Sequence, residues 1–229
     1  MHPPHVITDL AGKRAFVTNS EDDTLGITQY LSPRDTRVVA LDKPSDCDAH
    51  SWYFRRDATE LPATGKMVLI NRSWYNRTRV KPVTGFCTKP EHKKFIGCVL
   101  PFERLQPALG TQLFIYCLDI TKPDQKRRLE DGRVDPLMQW KVSLIDKTAL
   151  RQRQGYSVAR NEMFSRTHSD NLSSQVVWAD DRNLTRLNVI RHLMSRVYCP
   201  GKNQHLAHPD TEIVCDHADG HVQSGAIAP

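Results

Sequence analysis

The chain has 229 residues, 39% hydrophobic and 25% charged, enough for one large α/β domain or two small ones with a polar periphery. No run of 18 or more apolar residues occurs, which excludes a membrane-spanning helix, and Met1-His2-Pro3-Pro4-His5 lacks the basic-then-apolar pattern of a secretory signal, so a cytoplasmic protein is expected. The formal net charge of +6 comes from 32 basic and 26 acidic residues, and the basic ones gather at 72–81, 126–133 and 151–160, which suits either a polyanionic partner or an ordinary solvated surface.

Short apolar runs alternate along the chain with helix-compatible segments. The runs are 14–18, 37–41, 66–70, 112–120 and 175–178. Their length and their content of Val, Ile, Leu and Phe suit buried parallel strands. The segments between them predict helices at 48–59, 90–96, 101–108, 121–129, 147–165 and 183–197. The fourth opens on Thr-x-Pro, a helix start. The last carries Leu187, Ile190, Leu193, Met194 and Val197 at helical spacing, a core stripe. Alternation of this kind predicts a parallel sheet with helices on both faces.

From Cys199 onward the pattern fades into Gly, His, Asp and Pro, and 199–229 reads as a disordered tail. The tail carries Cys215, His217 and His221 with Asp216 and Asp219. These types ligate metals, but their spacing matches no zinc pattern. The six cysteines contain no Cys-x-x-Cys pair, and Cys117, inside an apolar run, reads as a small core residue.

The third run leads into Asn71-Arg72-Ser73-Trp74-Tyr75-Asn76-Arg77. This resembles the polyphosphate kinase 2 family, whose pattern here is an apolar strand followed by Asp-Arg-Ser-Trp-Tyr-Asn-Arg. Further stretches agree in order: Ser32-Pro33-Arg34, Lys43-Pro44-Ser45-Asp46, Trp52-Tyr53-Phe54, Leu61-Pro62-Ala63, Gly85-Phe86-Cys87-Thr88 and Pro101-Phe102-Glu103-Arg104. Later come Asp135-Pro136-Leu137, Trp140-Lys141, Ala179-Asp180-Asp181 and Arg186 to Leu193. The resemblance runs from about residue 14 to 198. It implies a three-layer α/β/α fold like the P-loop kinases, with a central parallel sheet of about five strands and a helical lid at about 122–146. It also implies transfer of phosphoryl groups between inorganic polyphosphate and a nucleotide (ADP, GDP or AMP), a Mg²⁺ cofactor, and a homo-oligomer, dimer or tetramer. No membrane partner is implied, and no helix-turn-helix, RNA-recognition or zinc-finger signature supports a nucleic acid.

Phosphoryl transfer needs a phosphate cradle, a lysine, a metal-holding carboxylate and clamping arginines. By resemblance, Arg72 and Arg77 contact phosphates at the carboxyl end of the third strand. Arg127, Arg128, Arg133 and Lys141 fall in the lid segment, where Gly132 stands in place of an expected Arg; a solvated helix face is the other reading of these charges. Lys43, just past the second strand, is a further phosphate-binding candidate. Asn71 occupies the position of the metal-holding Asp, and a neutral amide is a weaker ligand for Mg²⁺. The family cradle Gly-x-Asp-x-x-Gly-Lys has two placements. After the run 14–18 it becomes Asn19-Ser20-Glu21-Asp22-Asp23-Thr24, with Asp22 matching the family Asp and no Gly-Lys step. Alternatively Asp9-Leu10-Ala11-Gly12-Lys13 matches Asp-x-x-Gly-Lys, with only Val6-Ile7-Thr8 before it to form a strand. The departures at Asn71 and the cradle leave two functional readings: an active phosphotransferase, or an impaired member that binds polyphosphate or nucleotide without efficient turnover.

Overall fold

In a computed structural model of the chain, residues 12–18, 27–29, 31–41, 44–71, 73–77, 88–136, 152–167, 174–198 and 201–216 are described. Five runs of β-branched and other apolar residues form parallel strands: β1 (Lys13–Thr18), β2 (Thr36–Ala40), β3 (Met67–Asn71), β4 (Thr111–Asp119) and β5 (Ser174–Trp178). Each lies within one residue of the run read from the sequence. The order across the sheet is β2-β3-β1-β4-β5-β6, where β6 (Val214–Asp216) pairs antiparallel with β5. The central strand β1 bonds to both neighbours, with Thr18 level with Asn71 of β3 and Val17 level with Ile115 of β4.

Side chains alternate across a strand, so each strand feeds two cores. Val68, Ile70, Ile115, Cys117 and Val176 face one way, onto Phe54, Trp74, Phe95, Val99, Phe102 and Phe164. Met67, Leu69, Tyr116, Leu118 and Val177 face the other way, onto Val189 and Leu193. The helices on the first face are α2 (Arg55–Thr59), α3 (Lys89–Ala108) and α5 (Arg153–Thr167), and α1 (Asp46–His50) precedes α2 in the chain; α6 (Arg182–Arg196) covers the second face. Helix α4 (Lys122–Val134) follows β4. This is the expected three-layer α/β/α arrangement, with six strands rather than five among the described residues.

Several boundaries differ from the sequence reading. The single helix expected at 48–59 is two short ones, because Ser51 ends α1 in an extended conformation. The break lets Trp52 and Tyr53 pack on the aromatic cluster, Trp52 5.9 Å from Phe102 and Tyr53 4.8 Å from Phe95 between ring centroids. The helices expected at 90–96 and 101–108 are one, α3, running through Pro101. Proline removes one hydrogen bond, but the continuous helix buries Phe95, Ile96, Val99 and Phe102 on one face, and that burial outweighs the lost bond. Past the Leu109 cap of α3 comes Gly110, whose φ of 76° favours glycine.

The expectation of a disordered tail from 199 is corrected for 201–216. Lys202 Nζ donates to the carbonyls of Met194 at 2.9 Å and Val197 at 3.1 Å, closing the end of α6. The Asp210 N–H donates to Asn188 Oδ1 at 2.8 Å. Val214 is buried in the α6-side core, and Gln175 Nε2 donates to Asp216 Oδ1 at 2.6 Å. Cys215 donates to the Val176 carbonyl, so the two described members of the suggested metal set, Cys215 and Asp216, are strand residues engaged with β5; His217, Asp219 and His221 lie outside the described residues. No helix among the described residues is long and apolar enough to cross a membrane.

Phe102 stacks on Phe54 at 4.4 Å and meets Trp74 edge-on at 5.2 Å. Truncating it opens a cavity under the sheet. Phe102→Ala is expected to destabilise the fold by about 3–5 kcal/mol, read as a lower urea midpoint with an unchanged slope.

Candidate active site

All five parallel strands end on one edge of the sheet, the edge where α/β folds place their ligands. The described groups there are Asn71 after β3, Asp119 and Thr121 after β4, and Asp180 and Asp181 after β5. Because β1 is Lys13–Thr18, Gly12-Lys13 lies at the opposite edge, with Lys13 Nζ donating to the Leu109 carbonyl. The placement of the cradle at residues 9–13 is therefore corrected: the loop leaving β1 begins at residue 19. Asp22 and the rest of 19–26 lie outside the described residues, as do Arg72, Lys43 and Lys141.

The segment after β3 is anchored inside the protein. Trp74 is fully buried and its indole N–H donates to Glu103 Oε1 of α3 at 2.8 Å. The Tyr75 hydroxyl lies by the same carboxylate, near Thr167 and Ser174. Asp57 of α2 accepts the backbone N–H of Trp74. Desolvation raises the Glu103 carboxyl from its ordinary 4.5 to about 7, against the lowering effect of Tyr75 and Trp74. Desolvation likewise raises Asp57 from 3.8 to about 7, against the pull of Arg56. Sequence reasoning missed both acids. The available signal was an acid inside an apolar helical stripe, as Glu103 is between Val99, Phe102 and Gln106.

Arg77 leaves the same segment and lies over aromatic rings, 4.7 Å from the centroid of Tyr53 and 5.7 Å from that of Phe95. Its other neighbour is Glu91 Oε1 at 4.0 Å. The Arg77 Nε is buried and has no hydrogen-bond partner among the described residues. The rings hold the cation in place by cation–π attraction.

The β4 and β5 ends are bound together. The Thr121 N–H donates to Asp180 Oδ1 at 2.8 Å. Arg160 of α5 pairs with Asp119 at 2.8 Å, both side chains buried. Arg153 of α5 donates to the Ile120 carbonyl at 2.7 Å and to Gln125 at 2.8 Å. Arg128, expected in a phosphate channel, is engaged otherwise. Its guanidinium binds Asp124 at 2.5 Å and the carbonyls of Ala179 and Asp180. It fastens α4 to the β5 end. Arg127 pairs with Asp124 yet keeps 65% of its side chain exposed. With Arg128, Asp131, Asp135, Asp180, Asp181, Arg182 and Asn183, it lines an open cleft of about 760 Å³. Arg133 is exposed further along α4.

A protein-held Mg²⁺ needs hard oxygen ligands, carboxylates above all. Asn71 is 3% exposed and its Oδ1 has no hydrogen-bond partner among the described residues. The position thus keeps a buried oxygen but no charge. Among the described residues no group of three or more His, Cys, Asp and Glu gathers. The described donor set therefore does not fit a resident divalent ion.

The sheet order and the helices on both its faces define a three-layer α/β protein with a P-loop-like fold. The profile of the family described as Polyphosphate kinase 2 matches residues 9–205, and the chain belongs to that family. It is 39% identical over 187 residues to an NDP-polyphosphate phosphotransferase 2 of Ruegeria pomeroyi, covering 81% of this chain and 54% of the relative. It is 38% identical over 187 residues to a GDP-polyphosphate phosphotransferase of Pseudomonas aeruginosa, covering 81% and 52%. The chain thus spans about half the length of these curated relatives. Among solved structures, polyphosphate kinase 2 of Arthrobacter aurescens shares its fold with a TM-score of 0.72 at 23% identity, over 78% of this chain and 65% of that one.

Two predictions follow from the buried charges. Arg160→Ala removes the buried guanidinium that pairs with Asp119, at an expected cost of about 3–5 kcal/mol, checked by denaturant titration. For Glu103, burial favours the neutral acid, so the folded chain keeps the proton up to about pH 7 while the unfolded chain releases it near 4.5. The Glu103 contribution to stability is therefore highest below pH 4.5, falls as pH rises to about 7, and is flat above. Glu103→Gln should flatten the decline in melting temperature between pH 5 and 7.5. A parallel decline in both proteins contradicts the assignment.

Proposed function

We propose that the chain transfers phosphoryl groups between inorganic polyphosphate and nucleoside di- or monophosphates, at the strand-end edge described above. The observation that carries this reading is the Ser73–Arg77 segment, which keeps the family signature and is fixed in place by Glu103, Asp57 and the rings beneath Arg77. The names of the relatives support the substrate class: ADP, GDP and nucleoside diphosphates with polyphosphate. In this reading Arg72 and Arg77 clamp the phosphates, since planar guanidinium groups match phosphate oxygens. Arg127, which lines the cleft beside α4, attracts the polyphosphate chain together with Arg133 and Lys141. Lys43 and Asp22 are further candidates for the phosphate side of the reaction.

Catalysis here is positioning and charge neutralisation, and Asn71 supplies less charge than the family Asp. We read Asn71 as the residue that limits metal affinity and turnover. A homo-oligomer acting in the cytoplasm belongs to the same proposal, its size open to sedimentation analysis.

The purified chain with polyphosphate, Mg²⁺ and ADP, GDP or AMP is expected to form the next higher nucleotide in a coupled assay. Arg72→Ala should lower that rate about 100-fold, on the scale of losing one charge-stabilising donor. Asn71→Asp should raise the rate several-fold at limiting Mg²⁺; no change would mean that position 71 does not limit the reaction. Absence of turnover together with a polyphosphate-dependent rise in melting temperature would mark the chain as a binding protein instead.

A further inference from the structure

The segment after β3 is gripped by two acids from different helices. Asp57 of α2 is 4% exposed and takes the Trp74 backbone N–H; Glu103 of α3 is wholly buried and takes the indole N–H. Arg56 faces the first acid. The Tyr75 hydroxyl faces the second, with Thr167 of α5 and Ser174 of β5 around that hydroxyl. Asn71 stands three positions before Trp74 and Arg77 three positions after it. A hold on both the backbone and the ring of Trp74 therefore fixes the direction of both flanks.

Apolar packing alone can bury a tryptophan ring, and a fully buried acid is destabilising beside an apolar residue of the same volume. Two such acids on one residue exchange stability for a defined geometry. We propose that Asp57 and Glu103 are positioning residues, whose grip on Trp74 sets the orientation in which the Asn71-to-Arg77 segment meets phosphate. This rests on the phosphotransfer reading above. An ionised carboxylate accepts stronger hydrogen bonds than a neutral acid, and both acids ionise near pH 7. The grip therefore tightens as pH rises through 7, over the range where stability has declined.

The test compares the full-length chain with Glu103→Leu, Glu103→Gln and Asp57→Asn. It measures kcat and KM for ADP with polyphosphate and Mg²⁺ from pH 6 to 8.5, at temperatures where circular dichroism shows each protein folded. Glu103→Leu is expected to lower kcat at least tenfold at pH 8, with KM for ADP within twofold. Glu103→Gln keeps an oxygen for the indole N–H and should regain most of the rate. It should also lose the wild-type rise in kcat around pH 7, which a purely structural role would not move. A folded Glu103→Leu protein with wild-type kcat, or a Gln variant with the unaltered pH profile, overturns the proposal. Should the wild type bind polyphosphate without turnover, the phosphotransfer reading fails by itself. Polyphosphate affinity then decides: at least tenfold weaker binding by Glu103→Leu supports the grip, and unchanged binding overturns it. A wild type that shows neither turnover nor binding overturns both.

Discussion

One short strand sets the geometry of everything else. Strand β1 pairs in parallel with both β3 and β4. A parallel ladder puts all its carboxyl ends on the same side, and the crossovers must return over the faces. Thr18 and Asn71 therefore end level with one another, and the loop from residue 19 and the segment from residue 72 leave from neighbouring points. The β4 and β5 ends are tied beside them through Thr121, Asp180 and Arg128. The site is a consequence of register before it is a consequence of any single side chain.

Around that edge the protein uses buried charge as fastening. Arg160 with Asp119, Arg128 with the carbonyls of Ala179 and Asp180, and the two acids at Trp74 each join elements distant in sequence. Buried ionic contacts add little net stability but strongly penalise loss of one partner. Such contacts favour a single geometry over a merely compact one. The contrast with Asn71 is informative. Its oxygen is buried and lacks a partner among the described residues, so this strand end keeps a buried oxygen without a charge.

Much of the fold was legible because strand length and helical period report burial directly. The five parallel strands and the Thr121 start of α4 follow from those signals; of the expected α6 stripe, Ile190 and Leu193 pack in the core while Leu187 is 43% exposed, because the buried face runs through Val189 and Leu193. Strand β6 did not, because three residues carry no period and only Val214 is fully buried. The continuity of α3 through Pro101 was hidden because local propensity argues for a break and only tertiary burial overrides it. At the site, the signature segment was legible by resemblance, and its Asn71 departure was legible too. The role of Trp74 and Tyr75 was not: their partners Glu103 and Asp57 lie on other helices and come near only in the folded sheet. The fastening of Arg128 to the β5 end was not legible, because charge on a helix says nothing about whether the guanidinium meets solvent or a carbonyl.

The central claim is that this strand-end edge moves phosphoryl groups between polyphosphate and nucleotide. Phosphorus NMR of the chain with polyphosphate, Mg²⁺ and ADP follows the transfer without coupling enzymes. The account predicts growth of the ATP β-phosphate signal with matching loss of polyphosphate signal, and no such growth with Arg72→Ala. An unchanged spectrum at stoichiometric protein would contradict it.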